Sequence, residues 1–212
     1  MTTWAWAALA LYVFWLLTAF GARAVIQRRR TGDTGFRGIS GTPGSVSWWA
    51  GVLFVVALLG AAAAPVAALA GLPALIGDVP AMQGAGAAVA ALGIAGTLIA
   101  QRAMGASWRV GVDQQERTAL VNDGPFARVR NPIFTAMAVT GVGLTLMVPN
   151  VAALAALAAL TVAVELQVRV VEEPYLRAVH GPAYAVYEAT TGRFLPGIGR
   201  ARPMRHDAGL QP

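Results

Sequence analysis

Four long stretches of this 212-residue chain contain no charged residue. They cover residues 4–22, 38–77, 79–101 and 131–164. A helix needs about 20 apolar residues to cross the hydrocarbon core of a bilayer, and each stretch is about that long or longer. Only 12% of the residues are charged, against about 25% in soluble proteins. The sequence therefore predicts an all-α, polytopic integral membrane protein.

The last uncharged stretch is too long for a single crossing. Its 34 residues would form a helix about 51 Å long at 1.5 Å per residue. Pro149 and Asn150 lie near its middle, and this pair is typical of a tight turn. We therefore predict a helical hairpin over about 131–148 and 151–170. With the three preceding stretches, this gives about five transmembrane helices.

The arginines predict the orientation of these helices. All sixteen basic residues are arginine, and they lie in or at the edge of three regions: about 27–46, 102–130 and the C-terminal tail. Five crossings place all three regions on one side, and basic loops are typical of the cytoplasmic side. We expect an outside N-terminus and a cytoplasmic C-terminal helical tail in a bacterial cytoplasmic membrane. Arg28–Arg30 serve either as a topological signal or as a site for an anionic headgroup.

The scarcity of metal ligands excludes several kinds of chemistry. Cysteine is absent, and His180 and His206 are the two histidines, so we expect no metal site. Nucleic acid binding is also disfavoured, because topology accounts for the arginines and no aromatic residues are interleaved with them. Nothing in the sequence sets an oligomeric state.

Polar side chains near the end of the fifth predicted helix form the first candidate site. The site comprises Glu165, Arg169, Glu172 and Glu173. Arg169 is four residues after Glu165, and the two later glutamates are three and four residues after Arg169. This spacing predicts that all four share one face of a helix directed into the bundle. Ionisable residues at membrane depth commonly mark functional sites. The alternative is a structural ion pair with carboxylates near the membrane interface.

The segment that enters the fourth helix is the second candidate. Asn131 is a favourable helix N-cap, and Pro132 suits the first helical turn. Arg128, Arg130 and the free backbone N–H groups of the helix start would together bind an anion such as a carboxylate. The structural alternative is a cap, a proline and two arginines that only set the topology.

The two candidate segments belong to an ordered series of motifs. With the hairpin between its parts, the series resembles the isoprenylcysteine carboxyl methyltransferase family, which is similar to membrane phospholipid methyltransferases. The resemblance spans about 105–196, and the matching residues are Gly124-Pro125-Phe126, Arg130-Asn131-Pro132-Ile133-Phe134, Glu172-Glu173-Pro174-Tyr175-Leu176, His180-Gly181-Pro182-Ala183-Tyr184-Ala185-Val186-Tyr187 and Arg193-Phe194-Leu195-Pro196.

The resemblance implies an S-adenosylmethionine pocket that the C-terminal tail closes. The implied cofactor-binding residues are Gly124, Pro125, Arg130, Asn131, Phe134, Glu172 and Glu173. Asn131 and Phe134 stand where the family usually has histidine and tyrosine. Arg130 would bind the cofactor carboxylate, and Glu172 or Glu173 its ammonium or ribose hydroxyls. Arg130 and Arg169 are the predicted catalytic residues, with Arg169 orienting the acceptor or holding the glutamates.

The predicted function is an integral membrane methyltransferase acting on a lipophilic small molecule or membrane lipid that enters from the bilayer. The alternatives are a nicotinamide-dependent membrane reductase of the steroid-reductase type and a non-enzymatic transporter or assembly protein. Three regions are expected: transmembrane helices 1–3 over 1–104, a methyltransferase-like region over 105–200, and a disordered tail over 201–212.

Overall fold

The computed structural model describes residues 2–111 and 119–201. The regular secondary structure of these residues is helical, with three isolated β-bridges between loops. The all-α prediction is confirmed. The expected disordered tail lies outside the described residues, apart from Ala201.

Seven α-helices form the described part of the chain. Two of them join their successors through π-helical turns, Leu17–Ala22 and Gln167–Glu172, and form longer continuous helices. The helices are α1 (Thr2–Leu16), α2 (Arg23–Thr31), α3 (Val46–Leu69), α4 (Pro80–Met104), α5 (Pro132–Met147), α6 (Val151–Leu166) and α7 (Glu173–Thr190).

Within the described residues, four helical segments are long and apolar enough to cross a membrane. They are Thr2–Thr31, Val46–Leu69, Pro80–Ser107 and Val151–Thr190. The fourth predicted span is helix α5, which is apolar but has only 16 residues, a length of about 24 Å. The structure therefore contains apolar helices at all five predicted positions, and four of them reach full spanning length. The chain is an integral membrane protein by these criteria.

The predicted hairpin turn is present between α5 and α6. Asn150 is fully buried, and its side chain caps α6 by accepting a 2.9 Å hydrogen bond from the backbone N–H of Ala153. Its amide also donates to the carbonyl of Ala64 on α3, at 2.9 Å. One polar side chain thus begins the second helix of the hairpin and binds the turn to a neighbouring helix. Its hydrogen bonds are satisfied, as expected for a buried amide.

Helices α4 and α5 pack closely because glycines line their contact. A Cβ atom at Gly93 would lie 2.8 Å from the carbonyl oxygen of Ala136, and one at Gly143 would lie 2.6 Å from that of Gly86. Small residues that let two helix backbones approach each other are typical of membrane helix pairs. This packing fixes the start of α5 relative to the end of α4.

The connections between helices collect at two ends of the bundle. At one end, the backbone N–H of Leu75, in the α3–α4 connection, donates to the carbonyl of Pro149 at 2.7 Å. At the other end, Arg37 in the α2–α3 loop pairs with Val110 in the loop after α4, and Arg130 pairs with Gly192 of the tail. Helix α5 therefore runs from one end of the bundle to the other.

This arrangement makes a prediction about topology that single cysteines can test. The chain has no native cysteine, so each introduced thiol reports on one position. We expect Asp78→Cys and Val151→Cys to react with an impermeant maleimide in intact cells, and Asp33→Cys to react only after permeabilisation. Labelling of Val151→Cys on the same side as Asp33→Cys would show that α5 does not cross the membrane.

Candidate functional site

A cavity of about 500 Å³ opens at the end of the bundle where the long loops and the tail meet. Ligand pockets are typically about 300–1,000 Å³. Its walls come from the end of α1, the α2–α3 loop, α3, the loop after α4, the start of α5, the second π-helical turn and α7. The cavity therefore joins parts of the chain that are far apart in sequence.

One side of the cavity is apolar. Phe20, Phe54, Leu58, Ile133 and Phe134 line it and also pack against one hydrophobic cluster of the bundle. The rings of Phe54 and Phe134 meet edge to face with centroids 6.4 Å apart, a favourable aromatic geometry. This side is suited to an apolar part of a ligand.

The other side of the cavity carries opposite charges. Glu172 and Arg109 both line it. The Glu172 carboxylate is hydrogen-bonded to the side chain of Gln167 and lies within the electrostatic influence of Arg109. The Arg109 guanidinium lies 5.2 Å from the centre of the Tyr175 ring, within the range of a cation–π contact. A carboxylate and a guanidinium on the walls of one cavity can bind a ligand that carries both charges.

Glu173, the neighbour of Glu172, is buried in an ion cluster. Only 3% of its side chain is exposed. Its Oε1 accepts hydrogen bonds of 2.7 Å from both Arg130 and Arg193, and its Oε2 accepts bonds from Arg193 at 2.9 Å and Arg177 at 3.3 Å. The hydrogen bond to Glu173 raises the pKa of Arg193. The cluster thus ties α7 to the start of α5 and to the tail.

Arg130 is engaged almost completely by the protein itself. Its Nη1 donates to the carbonyls of Glu188 and Thr191, and its Nη2 donates to Glu173 and to the carbonyl of Gly199. Its Nε–H has no partner in the described part of the chain. Arg130 lines the cavity, but it has no two-donor fork left for a ligand carboxylate.

Asn131 occupies the N-cap position of α5 as predicted, but its side chain does not cap the helix. Its amide donates instead to the carbonyl of Arg193 at 3.1 Å. Thr135 likewise donates to the carbonyl of Phe194, at 2.8 Å. The tail follows the start of α5 and accepts hydrogen bonds from both side chains. Pro132 occupies the first turn as predicted.

The predicted inward face of four ionisable residues is wrong. Arg169 pairs with Glu165, but their side chains are 56% and 40% exposed, whereas Glu173 is 3% exposed. The π-helical turn Gln167–Glu172 widens the helix by one residue, so residues before and after it do not keep the spacing of a regular α-helix. Arg169 does not line the cavity, whereas Glu172 and Glu173 do.

Of the other predicted site residues, Asn131 and Phe134 line the cavity. Gly124 and Pro125 do not; they form a 3-10 turn with Phe126, which does. The turn is fixed from α7, because the hydroxyl of Tyr187 donates to the carbonyl of Phe126 at 2.7 Å. The two residues therefore belong to the turn that carries Phe126.

Several lining residues were not among the predicted site residues. Arg109 and Tyr184 line the cavity and lie within 105–196, the part of the chain that carries the family resemblance. Phe20, Phe36 and Phe54 come from the first half of the chain, where no motif marks them. No group of three or more histidine, cysteine, aspartate or glutamate side chains that could hold a metal ion occurs within 2–111 and 119–201.

A comparison with protein families matches a segment that contributes part of this site. The sequence model of phospholipid methyltransferases matches residues 82–183, from the start of α4 into α7. The matched segment includes Arg109, Arg130, Asn131, Glu172 and Glu173. The match confirms the resemblance to membrane methyltransferases, because this family is related to the isoprenylcysteine carboxyl methyltransferases. No curated protein matches the chain.

Proposed function

We propose that the chain is an integral membrane methyltransferase that transfers a methyl group from S-adenosylmethionine to a lipophilic acceptor. The observation that carries the proposal is that Arg109 and Glu172 both line one large cavity, in the segment that matches phospholipid methyltransferases. The apolar helices around the cavity suit an acceptor that enters from the bilayer.

The charges of the cavity fit the charges of the cofactor. S-adenosylmethionine carries a carboxylate, an ammonium group and a sulfonium centre. Arg109 would bind the carboxylate through a charge-assisted hydrogen bond, and Glu172 would bind the ammonium group or the ribose hydroxyls. Phe134 offers an aromatic surface, and Asn131 offers a further hydrogen-bonding side chain. The cavity volume of about 500 Å³ is within the range for a ligand of this size.

Glu173 and Arg130 have a different task in this proposal. Glu173 receives hydrogen bonds from three arginines, so its charge is already compensated. Together with Arg130 and Arg193, it ties the tail to the start of α5, whose first residues line the cavity.

The methyl transfer needs little general acid or base catalysis to activate the donor. When bound, the cofactor supplies an activated methyl group whose leaving group is a neutral thioether. The residues of the chain would contribute mainly by holding donor and acceptor in line, which converts a bimolecular step into an effectively unimolecular one. We assign Arg169 no place in this step, because its guanidinium pairs with Glu165 on an exposed face.

The alternative of a nicotinamide-dependent reductase is less consistent with the charges. A dinucleotide carries two or three phosphate groups, which call for several cations. Arg109 and Arg130 are the cations among the described lining residues, and Arg130 is engaged by the protein. Two guanidinium groups, one of them bound to four protein oxygens, suit a single carboxylate better than a pyrophosphate.

Calorimetry of the purified protein in detergent tests the proposal directly. We expect S-adenosylmethionine and its demethylated product, S-adenosylhomocysteine, to bind with a stoichiometry of one and to compete with each other. NADPH, titrated in parallel, should give no heat of binding. Binding of NADPH without binding of either adenosyl compound would replace the methyltransferase with the reductase.

A further inference from the structure

We propose that Arg23 and Gln27 of α2 are positioning residues of the cofactor site, which act through Trp108 on Arg109. Both lie outside the matched segment 82–183, and neither lines the cavity. The proposal rests on the proposed function, because it concerns how the chain holds the guanidinium that would bind the cofactor carboxylate.

The two residues hold the turn that precedes Trp108. Arg23 and Gln27 are one helical turn apart on α2 and are only 6% and 4% exposed, whereas Arg28 is exposed. Arg23 donates to the carbonyl of Gly105, and Gln27 donates to that of Ala106 at 2.6 Å. Side-chain donors from a distant helix therefore fix two successive peptide groups of this turn.

Trp108 is then held from three sides. It is 2% exposed, and the Arg23 guanidinium lies 4.9 Å from the centre of its ring. Phe36 meets the ring edge to face at 6.2 Å. Gly35 approaches it so closely that a Cβ atom there would lie 2.9 Å from the ring. These contacts from α2 and from the α2–α3 loop restrict the indole ring to one orientation.

Fixing Trp108 fixes the backbone from which Arg109 extends into the cavity wall. The guanidinium of Arg109 reaches the Tyr175 ring and acts electrostatically on Glu172. A ligand held between two charges is sensitive to small displacements of either one. The support of α2 therefore determines whether Arg109 and Glu172 are correctly spaced for the amino-acid part of the cofactor.

The burial of Arg23 and Gln27 is costly, which favours a role beyond helix packing. Arg23 Nε and Gln27 Oε1 are buried without a partner in the described part of the chain. Buried polar atoms without hydrogen bonds destabilise a protein, and such local costs are expected where a site has to be held in one geometry.

The test compares two ligands that differ in the amino-acid part. S-adenosylhomocysteine has the carboxylate and the ammonium group, whereas 5′-methylthioadenosine has neither. We expect Arg23→Gln to weaken binding of the first about tenfold or more and to leave binding of the second unchanged, both measured by calorimetry. Arg28→Gln, on the same helix but exposed, should change neither. Gln27→Leu provides a second variant if Arg23→Gln does not fold.

A double variant separates positioning from general support. In an Arg109→Gln background, Arg23→Gln should have less than about a twofold further effect, because coupled residues are not additive. Equal weakening of both ligands by Arg23→Gln, or an undiminished effect without Arg109, would overturn the proposal and leave Arg23 a packing residue. If the unaltered protein bound neither ligand, the proposed function itself would fail instead.

Discussion

Replacing Glu173 with glutamine should lower the free energy of unfolding by about 3–5 kcal/mol, the usual effect of removing one partner from a buried ion pair. The substitution keeps the shape of the side chain but removes the charge that compensates Arg130, of which only 2% is exposed. It also weakens the hydrogen bonds from Arg193 and Arg177. Thermal and chemical unfolding in detergent measures the effect.

Glu165→Gln is the matched control for this substitution. Glu165 is also paired with an arginine four residues further along the chain, but both side chains are largely exposed. Because this pair lies outside the ion cluster, the variant should keep the hydrogen bonds to the tail and should lower the free energy of unfolding much less than Glu173→Gln does. If Glu173→Gln were equally mild, the ion cluster would not be what holds the tail in place.

The positions of the apolar helices could be predicted from the sequence because a bilayer sets a simple length requirement. The hairpin was predicted over 131–148 and 151–170, and α5 and α6 occupy Pro132–Met147 and Val151–Leu166. Pro149 and Asn150 made this possible, because a proline followed by a polar turn residue interrupts an apolar run that is too long for one crossing. The continuation of α6 through a π-helical turn into α7 has no comparable signal.

The site could be predicted only in part, since its membership depends on contacts between distant residues. The motif residues Asn131, Phe134 and Glu172 do line one cavity. Their tasks depend on the tail, which takes up the amide of Asn131 and the charge of Glu173. The grouping of Glu165 with Glu172 failed because it assumed uniform helical spacing across a segment that contains a π-helical turn.

The first half of the chain contributes to the site without any sequence signal. Phe20 and Phe54 are ordinary members of apolar runs until α5 places Phe134 beside them. Arg23 and Arg28 are equivalent in sequence as basic residues after an apolar helix. The Arg23 side chain is buried against the loop after α4, whereas the Arg28 side chain is exposed. Only the packing of α2 against that loop distinguishes them.

The division of labour between the two adjacent glutamates leads to the second large effect. Glu172→Gln should weaken S-adenosylmethionine binding about 10- to 150-fold, because a hydrogen bond to a charged group contributes about 1.5–3 kcal/mol and each 1.4 kcal/mol is a factor of ten. The free energy of unfolding should change little, since a glutamine at this position can keep the hydrogen bond to Gln167. Glu172 is also not a member of the ion cluster. The two glutamates would thus separate: Glu173 sustains the fold and Glu172 binds the ligand.

The same variant shows which part of the cofactor Glu172 contacts. If the carboxylate binds the ammonium group, Glu172→Gln should weaken the binding of S-adenosylhomocysteine. The binding of 5′-methylthioadenosine, which lacks that group, should not change. If the carboxylate binds the ribose hydroxyls, the variant should bind both ligands more weakly, because both retain the ribose. Glu165→Gln should alter neither, since its carboxylate pairs with Arg169 away from the cavity. Unchanged affinity for both ligands in a folded Glu172→Gln protein would remove Glu172 from the site and leave Arg109 without its proposed counterpart.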